Sequence, residues 1–255
     1  MRRTALACAL ALLPLAHAAA MVGNAYVVPN ASARPEVMLV GSRGNFCTGV
    51  AIARDLILTA AHCVQAGAEY KHVTLDAERK PIMKDVRQVA RHPRFDIKTM
   101  LAHRATADVA LVKLATPLNV TPAPLIGPRG RVPVGERFAV YGYGMFDIAD
   151  ANTSATLRAA TLVATGQPGN LQLRLADPAT GGKRPGLGAC TGDSGGPVYA
   201  DAGGYFAVYG VVSWSTGPGG DAGCGGLTGV TPLELYRGWI VETAAKLSSP
   251  LEPRP

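Results

Sequence analysis

The sequence predicts an all-β protein made of antiparallel sheet, and two observations support this. The 255-residue chain contains 30 glycines and 19 prolines, which exceeds their combined share of about 12% in average proteins and indicates many turns. Short runs with the composition of β-strands recur between clusters of Gly, Pro, Asn and Asp, without the interleaved helical patterns of βα units. The predicted strands are residues 36–40, 50–53, 56–59, 109–114, 137–141, 157–164, 171–175 and 205–214.

The composition is that of a folded chain, with 48% hydrophobic and 17% charged residues. The Pro- and Gly-rich stretch 116–135 predicts a connection between two halves.

One helix is predicted at the end of the chain. Thr231 followed by Glu234 has the spacing of a capping box, and Pro232 suits the first helical position. Apolar residues then recur at helical spacing, which predicts a helix over 234–247 and a loose tail over 248–255. The apolar face consists of Tyr236, Trp239, Ile240 and Leu247.

Residues 1–20 have the pattern of a secretory signal peptide. Arg2 and Arg3 precede a short apolar run, and three alanines end the segment. The run is too short to span a bilayer. We therefore expect a secreted protein, extracellular or periplasmic, whose mature chain begins at Met21.

Four cysteines remain after the predicted leader, and an even number in an oxidising compartment predicts two disulfides with three possible pairings. A zinc site is the alternative, but no CxxC pair or HExxH helix is present. We expect no metal and no cofactor. The four residues are Cys47, Cys63, Cys190 and Cys224.

Positive charge is concentrated in one segment. The formal net charge is +7, and residues 71–104 contain nine Lys or Arg against four acids. This segment could bind a polyanion or a partner, but its basic residues alternate with acidic and apolar ones, which favours a solvated surface.

The stretch GDSGGP around Ser194 poses the chemical question, because a serine hydroxyl needs a base to become a nucleophile. Gly192–Gly196 matches the GxSxG pattern of α/β-hydrolases, whose histidine follows the serine. The four histidines after the leader, at 62, 72, 92 and 103, all precede Ser194. The chain order therefore excludes that class of esterase and leaves the order His, Asp, Ser.

Three segments in that order resemble the catalytic segments of the chymotrypsin/trypsin family of serine proteases. They are TAAHC at 59–63, ADVALVKL at 107–114 and GDSGGP at 192–197. The resemblance implies two antiparallel six-stranded β-barrels with a C-terminal α-helix, and a serine endopeptidase that forms an acyl-enzyme. It assigns residues 21–125 to the first barrel and 126–233 to the second.

The resemblance also implies the role of each catalytic group. His62 would accept the proton of Ser194 and return it to the leaving amine, while Asp108 would orient His62 and accept a hydrogen bond from Ser213. The backbone N–H groups of Gly192 and Ser194 would form the oxyanion hole. His72, His92 and His103 are expected to be structural.

Further implications concern activation and disulfides. The sequence after the leader, Met21-Val22-Gly23-Asn24, resembles the mature amino terminus of the family, so the Met21 ammonium would pair with Asp193. The implied disulfides are Cys47–Cys63 and Cys190–Cys224. The absence of other bridges from the sequence resembles bacterial members of the family.

The substrate pocket implied by the resemblance has no acid at its base, where Gly188 stands. This predicts an apolar P1 residue, although Asp221 in a Gly-rich loop could enter and favour a basic one. We expect protein or peptide substrates, protein inhibitors, a monomer, and no nucleic acid or membrane partner. The pocket residues would be Gly188, Ala189, Ser213, Trp214, Ser215 and Gly229.

Overall fold

The computed structural model describes residues 21–251 except 77, 79, 103 and 148. The predicted signal peptide, His103 and the end of the predicted tail lie outside the described residues.

Thirteen strands are present in the described part of the chain. Their bounds are β1 (Tyr26–Val27), β2 (Glu36–Gly41), β3 (Phe46–Ala53), β4 (Leu56–Thr59), β5 (Tyr70–Leu75), β6 (Pro81–Arg91), β7 (Ala110–Leu114), β8 (Arg137–Gly142), β9 (Arg158–Gly166), β10 (Leu173–Ala176), β11 (Pro197–Asp201), β12 (Phe206–Ser215) and β13 (Thr228–Pro232).

The strands form two antiparallel six-stranded barrels, as the family resemblance implied. The first barrel closes in the order β2-β3-β4-β7-β6-β5. The second runs β9-β10-β13-β12-β11-β8 and closes through pairing of β8 with β9. Closure removes the exposed edges that would otherwise template aggregation.

The amino-terminal strand belongs to the second barrel. The sequence assigned all of 21–125 to the first barrel, whereas β1 pairs with β9, with Tyr26 opposite Ala159. Met21 is completely buried in the core of the second barrel, beside Val140 and Leu162. The start of the described chain is therefore held by the half of the molecule that carries Ser194.

A shared hydrophobic core joins the two barrels and the C-terminal helix. Leu58 of the first barrel, Val211 of the second and Ile240 of the helix all lie in one buried cluster. Burial of such side chains contributes roughly 25 cal/mol per Å² of apolar surface, so this cluster fixes the barrels against each other.

The C-terminal helix is present, but its predicted cap is wrong. Thr231 and Pro232 end strand β13, a 3-10 turn covers Glu234–Tyr236, and helix α2 spans Arg237–Lys246 without a side-chain cap. Pairing of Thr231 with Val211 keeps these residues in the sheet, because cross-strand pairing outweighs the local capping preference. A second helix, α1 (Ile97–Leu101), was not predicted.

His92, one of the histidines expected to be structural, packs against the start of helix α2. The His92 ring packs edge-on against Tyr236 and Trp239, with ring centroids 5.0 and 4.9 Å away. Burial, together with the positive charge of Arg94, lowers the pKa of His92. These contacts support the structural role expected from the sequence.

The described part of the predicted loose tail is anchored. Ser249 is only 4% exposed, and its hydroxyl donates to Asp55 Oδ1 at 2.6 Å and accepts from Lys113 Nζ at 2.5 Å. Lys113 Nζ also lies 2.6 Å from Asp55 Oδ2. A mostly buried lysine needs such partners, which is why the chain after α2 stays on the first barrel.

We expect Ser249→Ala to lower the free energy of unfolding by about 1–3 kcal/mol, because it removes one donor and one acceptor from a buried network. Urea denaturation measures this change. Ser248→Ala is the matched control, since the exposed Ser248 contributes only its carbonyl oxygen to Lys113. A loss for Ser249→Ala below about 0.5 kcal/mol would contradict the anchoring role.

Candidate active site

A buried carboxylate lies where the two barrels meet. Asp108, just before β7, is completely buried, and its Oδ2 lies 2.8 Å from His62 Nδ1. The His62 backbone N–H donates to Oδ1 at 2.9 Å, and the Ser213 hydroxyl donates to Oδ2 at 2.5 Å. These hydrogen bonds let a carboxylate remain buried and hold the imidazole in one orientation.

His62 lies in a 3-10 turn, Ala61–Cys63, at the end of β4. Its Nε2 lies 3.8 Å from the Cys63 sulfur. Cys47, His62 and Cys63 form a cluster within 4.8 Å, but the two cysteines are joined in a disulfide. Their sulfurs are therefore not thiolates, which are the form that binds metal ions.

The half-buried Ser194 approaches the same sulfur from the second barrel. Its carbonyl oxygen lies 3.6 Å from Cys63 Sγ and accepts a hydrogen bond from Thr48 N at 2.9 Å. Within the described residues, no hydrogen bond joins His62 Nε2 to the Ser194 hydroxyl. The structure thus brings His62 and Ser194 from opposite barrels to the same sulfur atom.

Glycine at position 192 is required by its surroundings. Gly192 has φ +95°, and a Cβ there would lie 2.7 Å from the Phe46 ring and 2.8 Å from Gly144 Cα. Side chains rarely adopt such a φ, and neither neighbour leaves space. Among the described residues, neither the N–H of Gly192 nor that of Ser194 donates to a protein acceptor, so both donors are available at this turn.

Thr48 supports this turn and was missed by the sequence analysis. Its hydroxyl donates to Gly192 O at 2.8 Å and accepts from Tyr143 N at 3.0 Å, and the side chain is completely buried. The residue follows Cys47 in β3, and no sequence pattern marks it. Only closure of the two barrels places it against Gly192.

Asp193 is completely buried beside Ser194. Its Oδ1 accepts from Gly144 N at 2.9 Å and its Oδ2 from Cys190 N at 2.8 Å. Burial raises the pKa of Asp193 to about 7, although the two backbone donors and the charge of Arg158 act in the opposite direction. An ionised Asp193 at this position would therefore be stabilised further by a cation.

The segment that carries Asp193 also contacts the start of the described chain. Val22 forms an antiparallel bridge with Gly188, and a Cβ on Gly23 would lie 2.4 Å from the backbone of Gly186. Met21 shares its core cluster with Ala189. Both predicted members of the activation pair are thus buried in the second barrel. Asp193 ends the 186–193 segment, and Met21 packs against the same segment.

The predicted pocket residues are closely packed against one another. A Cβ on Gly188 would meet Gly225 Cα at 3.0 Å, and Ala189 is completely buried with its N–H on Thr228 Oγ1. The Trp214 indole covers Gly229, where a Cβ would come within 2.0 Å of Cε2.

One predicted pocket residue, Ser215, is half-buried, whereas the acid that could enter the pocket is exposed. The Ser215 hydroxyl donates to Gly223 O at 3.4 Å, and Asp221 is exposed. The basic segment forms β5, β6 and α1, where Lys71 pairs with Asp85. Arg79 of that segment is outside the described residues.

Both disulfides implied by the resemblance are present. Cys47–Cys63 joins β3 to the turn that carries His62, and Cys190–Cys224 joins the Ser194 loop to the segment after Trp214. Each bridge therefore restrains one half of the cleft.

Two closed β-barrels with an imidazole–carboxylate pair facing a Gly-Asp-Ser-Gly turn define the class of chymotrypsin-like serine proteases. A model of the family described as Trypsin matches residues 23–240. The chain belongs to the trypsin family and is a peptide hydrolase.

Curated relatives share about a quarter of their residues with this chain. Trypsin-2 of Salmo salar is 27% identical over 226 residues, covering 84% of this chain and 92% of its own. Serine protease 1 of Canis lupus familiaris is 27% identical, covering 83% and 85%. Snake venom serine protease rhinocerase 4 of Bitis rhinoceros is 26% identical, covering 81% of each chain.

Among solved structures, neuropsin, a serine protease expressed in the limbic system of mouse brain, is similar with a TM-score of 0.66. It is 22% identical and covers 87% of this chain and 99% of its own. This similarity concerns the fold. In residues 21–251, apart from the four gaps, no helix has the length and apolar character needed to cross a membrane.

We expect Thr48→Val to lower the free energy of unfolding by about 1–3 kcal/mol, because it leaves the buried Tyr143 N–H and Gly192 carbonyl without their partner. Thr48→Ser keeps the hydroxyl and is the control. Urea denaturation measures both, and equal stability of the two variants would show that the hydroxyl does not support the turn.

Proposed function

We propose that this chain is a secreted serine endopeptidase that hydrolyses peptide bonds through a Ser194 acyl-enzyme. The observation that carries the proposal is the 2.8 Å contact between Asp108 Oδ2 and His62 Nδ1. With Nδ1–H donated to the carboxylate, Nε2 is left as the basic nitrogen.

In the proposed mechanism, His62 Nε2 accepts the proton of the Ser194 hydroxyl as its oxygen attacks the peptide carbonyl. The resulting imidazolium is stabilised by the Asp108 side chain. His62 then donates the proton to the leaving amine, and water repeats the sequence to release the acid product. The hydroxyl–imidazole hydrogen bond forms in this proposal when substrate binds.

The developing oxyanion would accept from the N–H groups of Gly192 and Ser194. Their lack of protein acceptors in the described chain supports this assignment. Phe46 and Gly144 confine the turn, so the donors need little reorganisation during the reaction.

We further propose an apolar P1 residue. Among the six proposed pocket residues, Gly188, Ala189, Ser213, Trp214, Ser215 and Gly229, no side chain is acidic, and the exposed Asp221 has no side-chain hydrogen bond that directs it inward. The indole over Gly229 would be an apolar neighbour of the P1 side chain.

Activation is proposed to follow directly from removal of residues 1–20. Cleavage after Ala20 would create an ammonium on the buried Met21, and that charge would pair with Asp193 and lower the pKa of its carboxyl. We propose that signal peptidase makes this cut and that the enzyme is secreted as an active monomer. The two-disulfide framework is the feature that supports a bacterial-type member, whereas the relatives described above are animal proteins.

The catalytic proposal predicts that Ser194→Ala and His62→Ala each lower kcat/KM on peptide substrates by the order of 10⁶-fold, because the two side chains act as a unit. For the same reason, the double variant is no worse than either single one. Fluorophosphonate labelling of the wild type should be lost in both variants, while the surface variant Ser248→Ala labels normally.

Two outcomes would contradict parts of this proposal. A wild-type protein that neither labels nor cleaves would favour the alternative, an inactive relative that binds a polyanion or partner through residues 71–104. Cleavage of a peptide library mainly after Arg or Lys would contradict the apolar P1 preference and leave the catalytic triad standing.

The activation proposal predicts that a chain beginning at Met21 is active and that one beginning at Ala20 is less active by the order of 10²-fold or more, because the buried Asp193 then lacks its cation. Pairing raises the pKa of the α-amino group above its ordinary value of about 7.7–8. The α-amino group is therefore fully protonated below its ordinary pKa. Activity falls as the pH rises through the raised pKa, because the ammonium then loses its charge.

Amino-terminal sequencing of the exported protein and a kcat/KM profile from about pH 7 to 10 measure these effects. A mature start other than Met21 contradicts the role of signal peptidase. Equal activity of the two chains contradicts the activation pair.

A further inference from the structure

A concave site lies between the two barrels and is lined by residues of both. A cavity of about 390 Å³ is bounded by the ends of β2 and β5, the 118–120 segment and the 155–157 segment. This volume is within the usual range for small-molecule sites, about 300–1,000 Å³. None of the residues assigned to catalysis or to the P1 pocket lines it.

A buried histidine lines this cavity. His72 is only 1% exposed, and its Nδ1 has no hydrogen-bond partner among the described residues. A buried ring nitrogen without a partner costs free energy comparable to a lost hydrogen bond. The position therefore suits a ligand that supplies the missing partner.

One positive charge lies beside this histidine. Lys84 of β6 is directly opposite His72 of β5, so both side chains are on the same face of the sheet, and Lys84 also lines the cavity. No acidic side chain of the described chain lies within 4.0 Å of the Lys84 ammonium, whereas the cavity's other cation, Arg34, is paired with Glu36.

The remaining charges do not oppose an anion. Glu36 is buried. Its Oε2 lies 3.0 Å from Arg34 Nε, and its Oε1 accepts a hydrogen bond from the Tyr199 hydroxyl at 2.7 Å. Burial first, and then the positive charge of Lys84, lowers the pKa of His72 to about 4. At neutral pH the ring is uncharged, so it can donate one N–H bond, and Lys84 carries the net charge of this end of the cavity.

Apolar side chains form most of the rest of the wall. Val37, Leu118 and Val120 lie on the side of the first barrel, and Val28 and Leu157 lie on the opposite side. A ligand that fills the cavity therefore needs an apolar body in addition to its charged head.

From these contacts we infer that the cavity binds a small amphipathic carboxylate, with its head group on His72 and Lys84 and its apolar body along the valine- and leucine-lined wall. The charge-assisted bond to Lys84 and the bond from the ring N–H would occupy both carboxylate oxygens. This inference is independent of the proposed catalytic mechanism, because it uses none of the same residues.

Calorimetry on the mature chain at pH 7 tests the inference with octanoate and 1-octanol, which share an apolar chain and differ in the charge of the head group. We expect octanoate to bind at least 10-fold more tightly than octanol. Lys84→Met should remove this preference, and Lys84→Arg should retain it because the charge is kept.

A ring-proton NMR spectrum reports on the histidine directly. Saturating octanoate should shift the His72 resonance and leave the His92 resonance, which lies between Tyr236 and Trp239, unchanged. Three results would each overturn the inference. They are equal affinities for octanoate and octanol, a preference for octanoate that survives in Lys84→Met, and a His72 resonance that octanoate does not shift.

Discussion

The buried Asp108 carboxylate is the group on which the arrangement of the cleft depends. It has no exposed surface, and its partners come from both barrels: His62 follows β4 of the first barrel, and Ser213 lies in β12 of the second. A buried carboxylate without these partners would be costly enough to become protonated or to move. The barrels must therefore pack in one relative position for Asp108 to be satisfied, and that position also brings Ser194 toward the imidazole. The shared hydrophobic cluster stabilises the interface, and the hydrogen bonds of Asp108 set the geometry of the cleft.

The turn that presents Ser194 shows how covalent and non-covalent restraints combine. The Cys190–Cys224 bridge lies on one side of it, and the Thr48 hydroxyl and N–H reach it from the first barrel on the other. Gly192 has a backbone conformation that side chains rarely adopt, and the surrounding contacts maintain it. Such over-determined turns are rigid, and rigidity of the turn is what the proposed oxyanion hole requires. The buried Asp193 adds an electrostatic cost, since burial raises the pKa of its carboxyl to about 7.

Several features could be read from the chain because they depend on local pattern. The strand β4 was predicted with the bounds that the structure has, β2 and β8 differ from their predicted bounds by one residue at one end, and β12 is shifted by one residue at both ends. By contrast, β6 was missed because most of its residues are exposed, so it lacks the apolar alternation that marks a strand. The predicted capping box failed for the opposite reason. Thr231 has a good local pattern for a helix start, but it pairs with Val211 in the sheet. Ser249 and Thr48 were unpredictable because their partners are 194 and 144 residues distant along the chain.

The sequence by itself determined the all-β class, the order of histidine, aspartate and serine, and the three motifs that identify the family, since each is a property of composition, of chain order or of a short segment. Tertiary structure alone decided which barrel holds Met21, how Thr48 supports Gly192, how the indole of Trp214 covers Gly229, and that His72 and Lys84 share a cavity. The physical reason is that closure of a β-barrel brings distant strands into register, and pairing and burial across that closure are not encoded in any short segment.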